Sequence, residues 1–567
     1  MKQKRRNNRL ISRDYTELRG VDFSSKRKDC FHNLKNMYVD YSSEGNCVES
    51  IPGFRRLYAF KDKVFSLLYE NGWIYVHSGE GLYRFKKRER KNPCALKPLA
   101  KMPRRKSPVI SLGNSVYTLG ADCLIRICDD GNVTEYPVPE EIACCTLGAA
   151  CDGRMFLSGT KDNPTRVYYF DFDGDGMPIF EQIKHFESRG RISSLLPSKS
   201  GLLIFDGYGA LCASTDGEGY KLNQIIVASS CHASSRLLDR VFFICGEGVY
   251  STEDPGCLSN EILPRLTGAD IKSASLGSWC GYLVLCLPGE IFLGDPMLRS
   301  RGGGSGFDWY YLCNIGSYAG DKRVYRYSPV ADEGFFVHPN TDGKAEGVVI
   351  SHTDSSGKTF YYTEQDGKRY SLYPTAELSG GEFSPAVVFT CAQDMLLFAT
   401  ESGDVCIFNN DMRGVAPPYI RAHRDFDESE YKRQSGNSIH PFYYSFAGHR
   451  AEYLLKAPDD CLNMPLTKKH TIPKTLAVRC KEFGKSAMTV SVHCDGKRVS
   501  EGHIRFENPD FSLLDFSYSL TDSEGRNYTV YEPARGWLSK QISIYGNEFC
   551  SPIGIYYIGY RCKCEDK

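Results

Sequence analysis

Val64-Phe65-Ser66-Leu67-Leu68, Asn71-Gly72, Trp73-Ile74-Tyr75-Val76-His77 and Leu82-Tyr83-Arg84-Phe85 follow one another within twenty-two residues. Three short apolar runs are punctuated by turn residues. Asn-Gly is the dipeptide that a tight hairpin prefers, because both central positions need a positive φ. The same triplet returns along the chain. Val109–Leu112, Val116–Leu119 and Leu124–Cys128 form one set, and Ile192–Leu196, Leu202–Phe205 and Leu211–Ser214 form another. Further turns are marked by Asp130-Gly131, Asp152-Gly153, Asp216-Gly217 and Ser402-Gly403. The middle runs begin near 73, 116, 155, 202, 241 and 282. A step of about 40–45 residues is the period of a four-stranded propeller blade.

One such sheet leaves its faces half covered and its ends open. Radial packing covers the faces, and ring closure protects the ends. The pattern therefore predicts an all-β chain, with a seven- or eight-bladed β-propeller over 45–420. Residues 1–44 are expected to form an N-terminal basic arm and, at Met37–Tyr41, the strand that closes the ring. Two tandem β-sandwiches would use the same short strands. Arg301-Gly302-Gly303-Gly304-Ser305-Gly306 reads as an inserted loop. Val348–Ser351 with Phe360–Thr363 reads as part of a later blade. Residues 421–447, with Arg421-Ala422-His423-Arg424-Asp425, are dense in charge and read as a linker. From 448 to 567, six further strand candidates suit a β-sandwich interface domain.

The chain has 567 residues, 41% hydrophobic and 25% charged, so wholesale disorder is excluded. Lys+Arg is 70 against Asp+Glu 69, a net charge of +1, so any contact with nucleic acid must be local. Ten cations lie between Lys86 and Lys106, with Glu89 the one acid among them. Lys86, Lys87, Arg88, Arg90, Lys91, Arg104, Arg105 and Lys106 are the expected contacts to DNA phosphates or to a neighbouring subunit. A solvated loop between blades explains the same charges, and no aromatic side chains alternate with them for base stacking. Lys2 to Arg13 holds six basic residues and no acid. No apolar segment follows them, so no secretory leader is expected, and no run approaches a membrane helix. Twenty-three Cys without a C-x-x-C pair read as buried thiols, as expected for a cytoplasmic fold.

Chemistry-bearing motifs are sparse. Asp171-Phe172-Asp173-Gly174-Asp175-Gly176 has the opening of a calcium loop. Gln182 stands where the bidentate Glu belongs, and an Asp- and Gly-rich turn accounts for the residues. Cys562-Lys563-Cys564 supplies too few ligands for a metal. His423, His440 and His449 show no nucleophile partner. Glu140-Glu141 and Asp459-Asp460, placed on strands, would point to opposite faces. No nucleophile elbow or phosphate loop occurs. No catalytic residue, cofactor or metal is expected.

The N-terminus reads Leu18-Arg19-Gly20-Val21-Asp22-Phe23-Ser24-Ser25, then Asn36-Met37-Tyr38-Val39-Asp40-Tyr41, then Ile51-Pro52-Gly53-Phe54-Arg55. The C-terminus contains Gly536-Trp537-Leu538-Ser539-Lys540 and Pro552-Ile553-Gly554-Ile555-Tyr556. These ends resemble a family of tailed-bacteriophage virion proteins from phages of gut Firmicutes. Ile51 stands where that family has Arg. More distantly, the plan is similar to nozzle and packaged-DNA stabilisation proteins of short-tailed phages. The resemblance implies a non-enzymatic virion protein of the head–tail connector, neck or tail. It would self-associate in a ring around the DNA channel. Its partners would be portal, connector or tail proteins, with non-specific contact to packaged DNA and no membrane. It would be assembled in the host bacterial cytoplasm. A receptor- or carbohydrate-binding tail protein is the alternative, through tyrosines on blade loops. A propeller glycoside hydrolase is the third, and needs convergent carboxylates at the channel mouth.

Overall fold

The computed structural model describes residues 8–15, 18–40, 47–86, 96–216, 219–228, 231–246, 248–254, 256–296, 307–318, 322–331, 334–341, 343–354, 359–379, 383–392, 395–409, 444–447, 449–481, 485–507, 526–548 and 551–565. These form a β-propeller of seven blades joined to a β-sandwich. Blade one is Val64–Glu70, Trp73–Ser78, Gly81–Lys86 and Ala100–Lys101. Blade two runs from Val109–Leu112 to Val133–Pro137, blade three from Leu147–Cys151 to Lys184–Glu187, and blade four from Ser194–Ser198 to Gly219–Val227. Blade five has three strands, Cys231–Leu237, Arg240–Cys245 and Gly248–Ser251. Blade six spans Ser275–Trp279 to Asp308–Cys313, and blade seven is built on Phe383–Ala392, Met395–Thr400 and Asp404–Phe408. The first strand of each blade neighbours the first strand of the next, and Phe383–Ala392 returns to Val64–Glu70, so the wheel is closed.

Why the second strand of each blade is a continuous apolar run follows from this packing. Successive side chains of a strand point to opposite faces, and here both faces are covered. In Leu202-Leu203-Ile204-Phe205, Leu202 and Ile204 join a core with Phe156, Val167 and Tyr169 of blade three. Leu203 and Phe205 join a second core with Val241 and Phe243 of blade five. One strand thus serves two interfaces. Each such side chain contributes about 1.5–3 kcal/mol on burial.

Closure differs from the expectation. Met37–Asp40 pairs with Cys47–Ser50 inside the sandwich. The strand that completes blade seven is Phe54–Ala59, antiparallel to Asp404–Phe408. Both segments have strand-like composition, and the choice is made by Pro52-Gly53. Gly53 brings the chain against residue 445 so closely that a Cβ there would lie 1.9 Å from the Ser445 carbonyl oxygen. The aromatic ring of Phe54 then fills a buried site against Phe398, Phe408 and Phe446, at centroid distances of 4.9, 5.6 and 4.8 Å.

The sandwich also draws on both ends of the chain, not on 448–567 alone. One sheet holds Asn8–Asp14, Met37–Asp40 and Cys47–Ser50 together with Lys469–Thr471, Leu476–Cys480, Arg526–Val530, Gly536–Trp537 and Gly554–Glu565. The described part of the expected basic arm is therefore a strand, paired from Asn8↔Glu565 to Asp14↔Gly559. The other sheet continues blade six. The strand Asp308–Cys313 pairs with Asn33–Lys35, which leads on to Tyr453–Lys456, Lys540–Gly546, Lys485–Cys494 and Lys497–Glu507. Val478, Ile558, Val490 and Ile544 meet in one core with blades five to seven.

The segment expected to supply another blade is an excursion. Lys322–Tyr327, Ile350–Thr353, Thr359–Gln365 and Lys368–Ser379 form their own four-stranded sheet, inserted before Phe383–Ala392. It follows blade chemistry locally, but none of its strands pairs with a wheel strand. The Arg301–Gly306 loop and most of the 421–447 linker, including His423 and His440, lie outside the described residues.

Candidate functional site

The basic stretch is split by the blade that carries it. Gly81–Lys86 runs from one end of blade one to the other, with Gly81 beside Lys101 and Lys86 beside Trp73. Five strand steps separate those ends by about 17 Å. Ala100–Lys101 forms the short outer strand, so Lys86 sits at one end and Arg104, Arg105 and Lys106 at the other. The expected single loop of ten cations is corrected to two smaller groups. Lys87, Arg88, Arg90 and Lys91 lie outside the described residues.

At the Lys86 end, Trp73 is a platform that the sequence reading missed. The Arg84 guanidinium lies 4.2 Å and the Lys86 Nζ 4.6 Å from the Trp73 ring centroid. Arg84 also donates to the carbonyls of Cys128 and Asp129, at 3.2 and 3.3 Å, which ties blade one to blade two. The signal was present as register, since Trp73 opens its strand directly opposite Lys86, the last residue of the next one.

At the other end the three cations differ in role. Arg104 pairs with Glu80 at 3.1 Å. Arg105 donates to the Ala143 carbonyl at 2.8 Å and so closes the short helix Glu140–Ala143. Those two acidic residues, Glu140 and Glu141, sit in its first turn rather than on a strand. Lys106 keeps exposed surface, while the packed protein around its ammonium pushes its pKa down. Its neighbour Ser107 accepts from Ser66 of the inner strand of blade one at 2.6 Å, so Lys106 lies on the connection that leads into the inner strand of blade two.

The channel wall is nearly neutral. Across the seven inner strands the one carboxylate is Glu70, at a strand end. Small side chains and hydroxyls dominate, as in the 2.7 Å contact between Ser194 and Ser234. The convergent acids of a glycosidase are not on these strands. The calcium-like loop is a turn that satisfies itself. Asp173 accepts from the backbone N–H groups of Asp175 and Met177, at 3.0 and 2.7 Å, and Asp171 pairs with Arg154 at 2.6 Å. Cys562 and Cys564 are buried within the last strand. Among the described residues no group of His, Cys, Asp and Glu has the arrangement of a metal site. Among the described residues, exposed tyrosines are dispersed. Tyr208 is on blade four, whereas Tyr531 and Tyr545 are on the sandwich.

Most of the terminal motif residues gather at the seam between wheel and sandwich. Gly20 packs against the backbone of Trp309 in blade six, where a Cβ would lie 2.6 Å from the carbonyl oxygen. Asn36, at φ 56°, accepts from the Cys313 N–H at 2.9 Å and donates to the Glu452 carbonyl at 2.8 Å. Tyr38 donates to Glu49, which also pairs with Lys481 at 2.7 Å. Ser50 and Ile553 exchange hydrogen bonds, each at 2.8 Å. Gly20 and Gly53 are thus required for close backbone approach.

No protein-family model matches the chain, and no curated protein does. Among solved structures the chain is similar to the Neurospora crassa Pan2 WD40 domain, with 9% identity and a TM-score of 0.36 over 62% of this chain and 91% of that one. It is similar to BamB from Moraxella catarrhalis, with 9% identity and a TM-score of 0.32 over 62% and 97%. It is also similar to virginiamycin B lyase from Staphylococcus aureus, with 12% identity and a TM-score of 0.29 over 63% and 98%. The blade assignment itself rests on the strand pairing.

Proposed function

We propose that this chain is a non-enzymatic structural protein of a tailed-phage virion, which assembles as a ring at the head–tail connector, neck or tail. One observation carries the reading. Blade six continues without a break into the sandwich as a nine-stranded sheet, so strand pairing joins the two bodies. That is the construction of a rigid spacer, whose work is to hold neighbours at fixed geometry. The motif residues that resemble the phage family support the same view, because most of them build the seam. Lys86 over Trp73 and exposed Lys106 are the described cations that would meet DNA phosphates or an acidic subunit face.

The test is co-purification with the products of the neighbouring genes, followed by native mass measurement. A multi-copy ring containing portal, connector or tail proteins is expected. Persistent monomers that bind none of these proteins would overturn the reading.

A further inference from the structure

Open strand edges invite pairing with another chain, and natural sheets protect them by shortness, charge, proline or cover. Six blades do so here. The outer strand of blade one, Ala100–Lys101, is two residues long. That of blade two contains Glu135 and Pro137, and that of blade three is Lys184-His185-Phe186-Glu187. In blade five, Val249 is covered by the 257–259 segment, through Leu258 N–H to its carbonyl at 2.8 Å and its own N–H to Ser259 Oγ at 2.9 Å. Blade six is paired onward to Asn33–Lys35. The closing strand of blade seven is covered at Phe54 by residues 445 and 447.

Blade four is the exception. Its outer strand Gly219–Val227 has nine residues and one charged side chain, Lys221. Its outer edge pairs with no described strand. A register shift near Ile225 turns aliphatic groups outward, leaving Ile225 42% and Val227 82% exposed beside Tyr208 at 58%. We propose that this edge is a strand-addition site, which takes an extended segment of a partner polypeptide as a fifth strand.

The chemistry of the segment follows from the edge. Main-chain groups supply the pairing, and alternate side chains supply selectivity. β-branched or aromatic residues match Ile225, Val227 and Tyr208. Exposed Lys221 and Arg189, the latter held on Gln224 at 2.8 Å, call for an acidic residue towards one end. A second copy is the poorer occupant. Two nine-residue edges meeting alone bury far less than the roughly 1,200 Å² of a stable interface. An extended arm gains its main-chain bonds without needing a second surface. The inference is independent of the virion reading.

Calorimetric titration of the full chain with synthetic ten-residue peptides tests it. The probes alternate Thr and Val with one Glu near an end, and a matched set carries N-methyl groups on alternate amides. One peptide per chain is expected to bind, at least tenfold more weakly when methylated. The exposed double substitution Ile225→Lys/Val227→Lys is expected to weaken binding at least tenfold, with the unfolding midpoint unchanged. Absence of binding by every peptide, or equal binding of the methylated set or of the variant, would overturn the proposal. So would slow amide exchange across residues 219–227 in the free monomer, which would mean that the chain covers its own edge. Concentration-dependent dimers with that edge protected would assign it to a second copy instead.

Discussion

Replacing Gly53 by alanine should open the wheel. A Cβ at this position lies 1.9, 2.6 and 2.9 Å from the carbonyl oxygen, carbonyl carbon and amide nitrogen of Ser445. All three are backbone atoms, so no side-chain rotation relieves the clash, and one of the two segments must move. Movement breaks the pairing that Gly53 and Phe54 make here. Phe54 N–H donates to Ser445 at 3.1 Å, Ala447 N–H to Phe54 at 2.9 Å and Asn409 N–H to Gly53 at 2.8 Å. Overpacking of this kind costs about 1–3 kcal/mol, and each hydrogen bond lost adds about 1 kcal/mol. A loss of roughly 3–5 kcal/mol is expected. Gly174→Ala is the control, because nothing lies within 4 Å of its added Cβ and its φ is not in the left-handed range. Urea denaturation followed by tryptophan fluorescence reads both. A control within about 0.5 kcal/mol of the parent, with G53A far below it, is the expected result. Equal midpoints for G53A and the parent would refute the closure at this seam.

Three further outcomes follow from buried groups. Glu532 and Lys540 lie 2.5 Å apart with side-chain exposures of 1% and 0%. Glu532→Leu alone should cost about 3–5 kcal/mol by leaving a buried charge unpaired, whereas E532L with K540M should recover most of it, read by denaturation of both variants. His77 is buried with Nε2 3.0 Å from the Pro103 carbonyl oxygen, and burial holds its pKa below 6.5. The unfolded chain therefore takes up a proton that the folded chain does not, and stability falls as pH drops through 6.5, by up to about 1.4 kcal/mol per unit for this group. Burial lowers His32 and His232 as well. His77→Gln should accordingly flatten part of the slope of unfolding midpoint against pH between 7 and 5, and an unchanged slope would contradict this. Finally, Cys144 is the exposed thiol among the described cysteines, while Cys286 and Cys406 are buried with pKa values pushed up by desolvation. Mass mapping after brief alkylation of the native chain should find Cys144 labelled first, and Cys286 and Cys406 labelled only on unfolding.

The blades were legible because their period is written twice, in apolar runs and in the turn dipeptides between them. Leu202–Phe205 reads as a buried strand whichever neighbours it has. What the sequence could not assign was partnership at a distance. Met37–Asp40 and Phe54–Ala59 are both plausible closing strands, and only the backbone contact of Gly53 with Ser445, almost four hundred residues away, decides between them. The inserted sheet misled for a related reason. Its hairpins, such as Ile350–Thr353 with Thr359–Gln365, obey the same local rules as a blade, and membership of the ring is a long-range property. At the basic stretch, charge was visible but its division was not. Two residues, Ala100-Lys101, make a strand too short to recognise, yet they set the two cation groups at opposite ends of blade one.

Hydrogen–deuterium exchange across Phe54–Ala59 in the intact chain tests the closed wheel most directly. This strand lies against Asp404–Phe408, with Phe54 fully buried, so the amides it turns towards Asp404–Phe408, and that of Phe54, should be protected far above the rate of an unpaired segment. Exchange there at the rate of an unpaired N-terminal arm would contradict the closure, and with it the rigid block on which the proposed role depends.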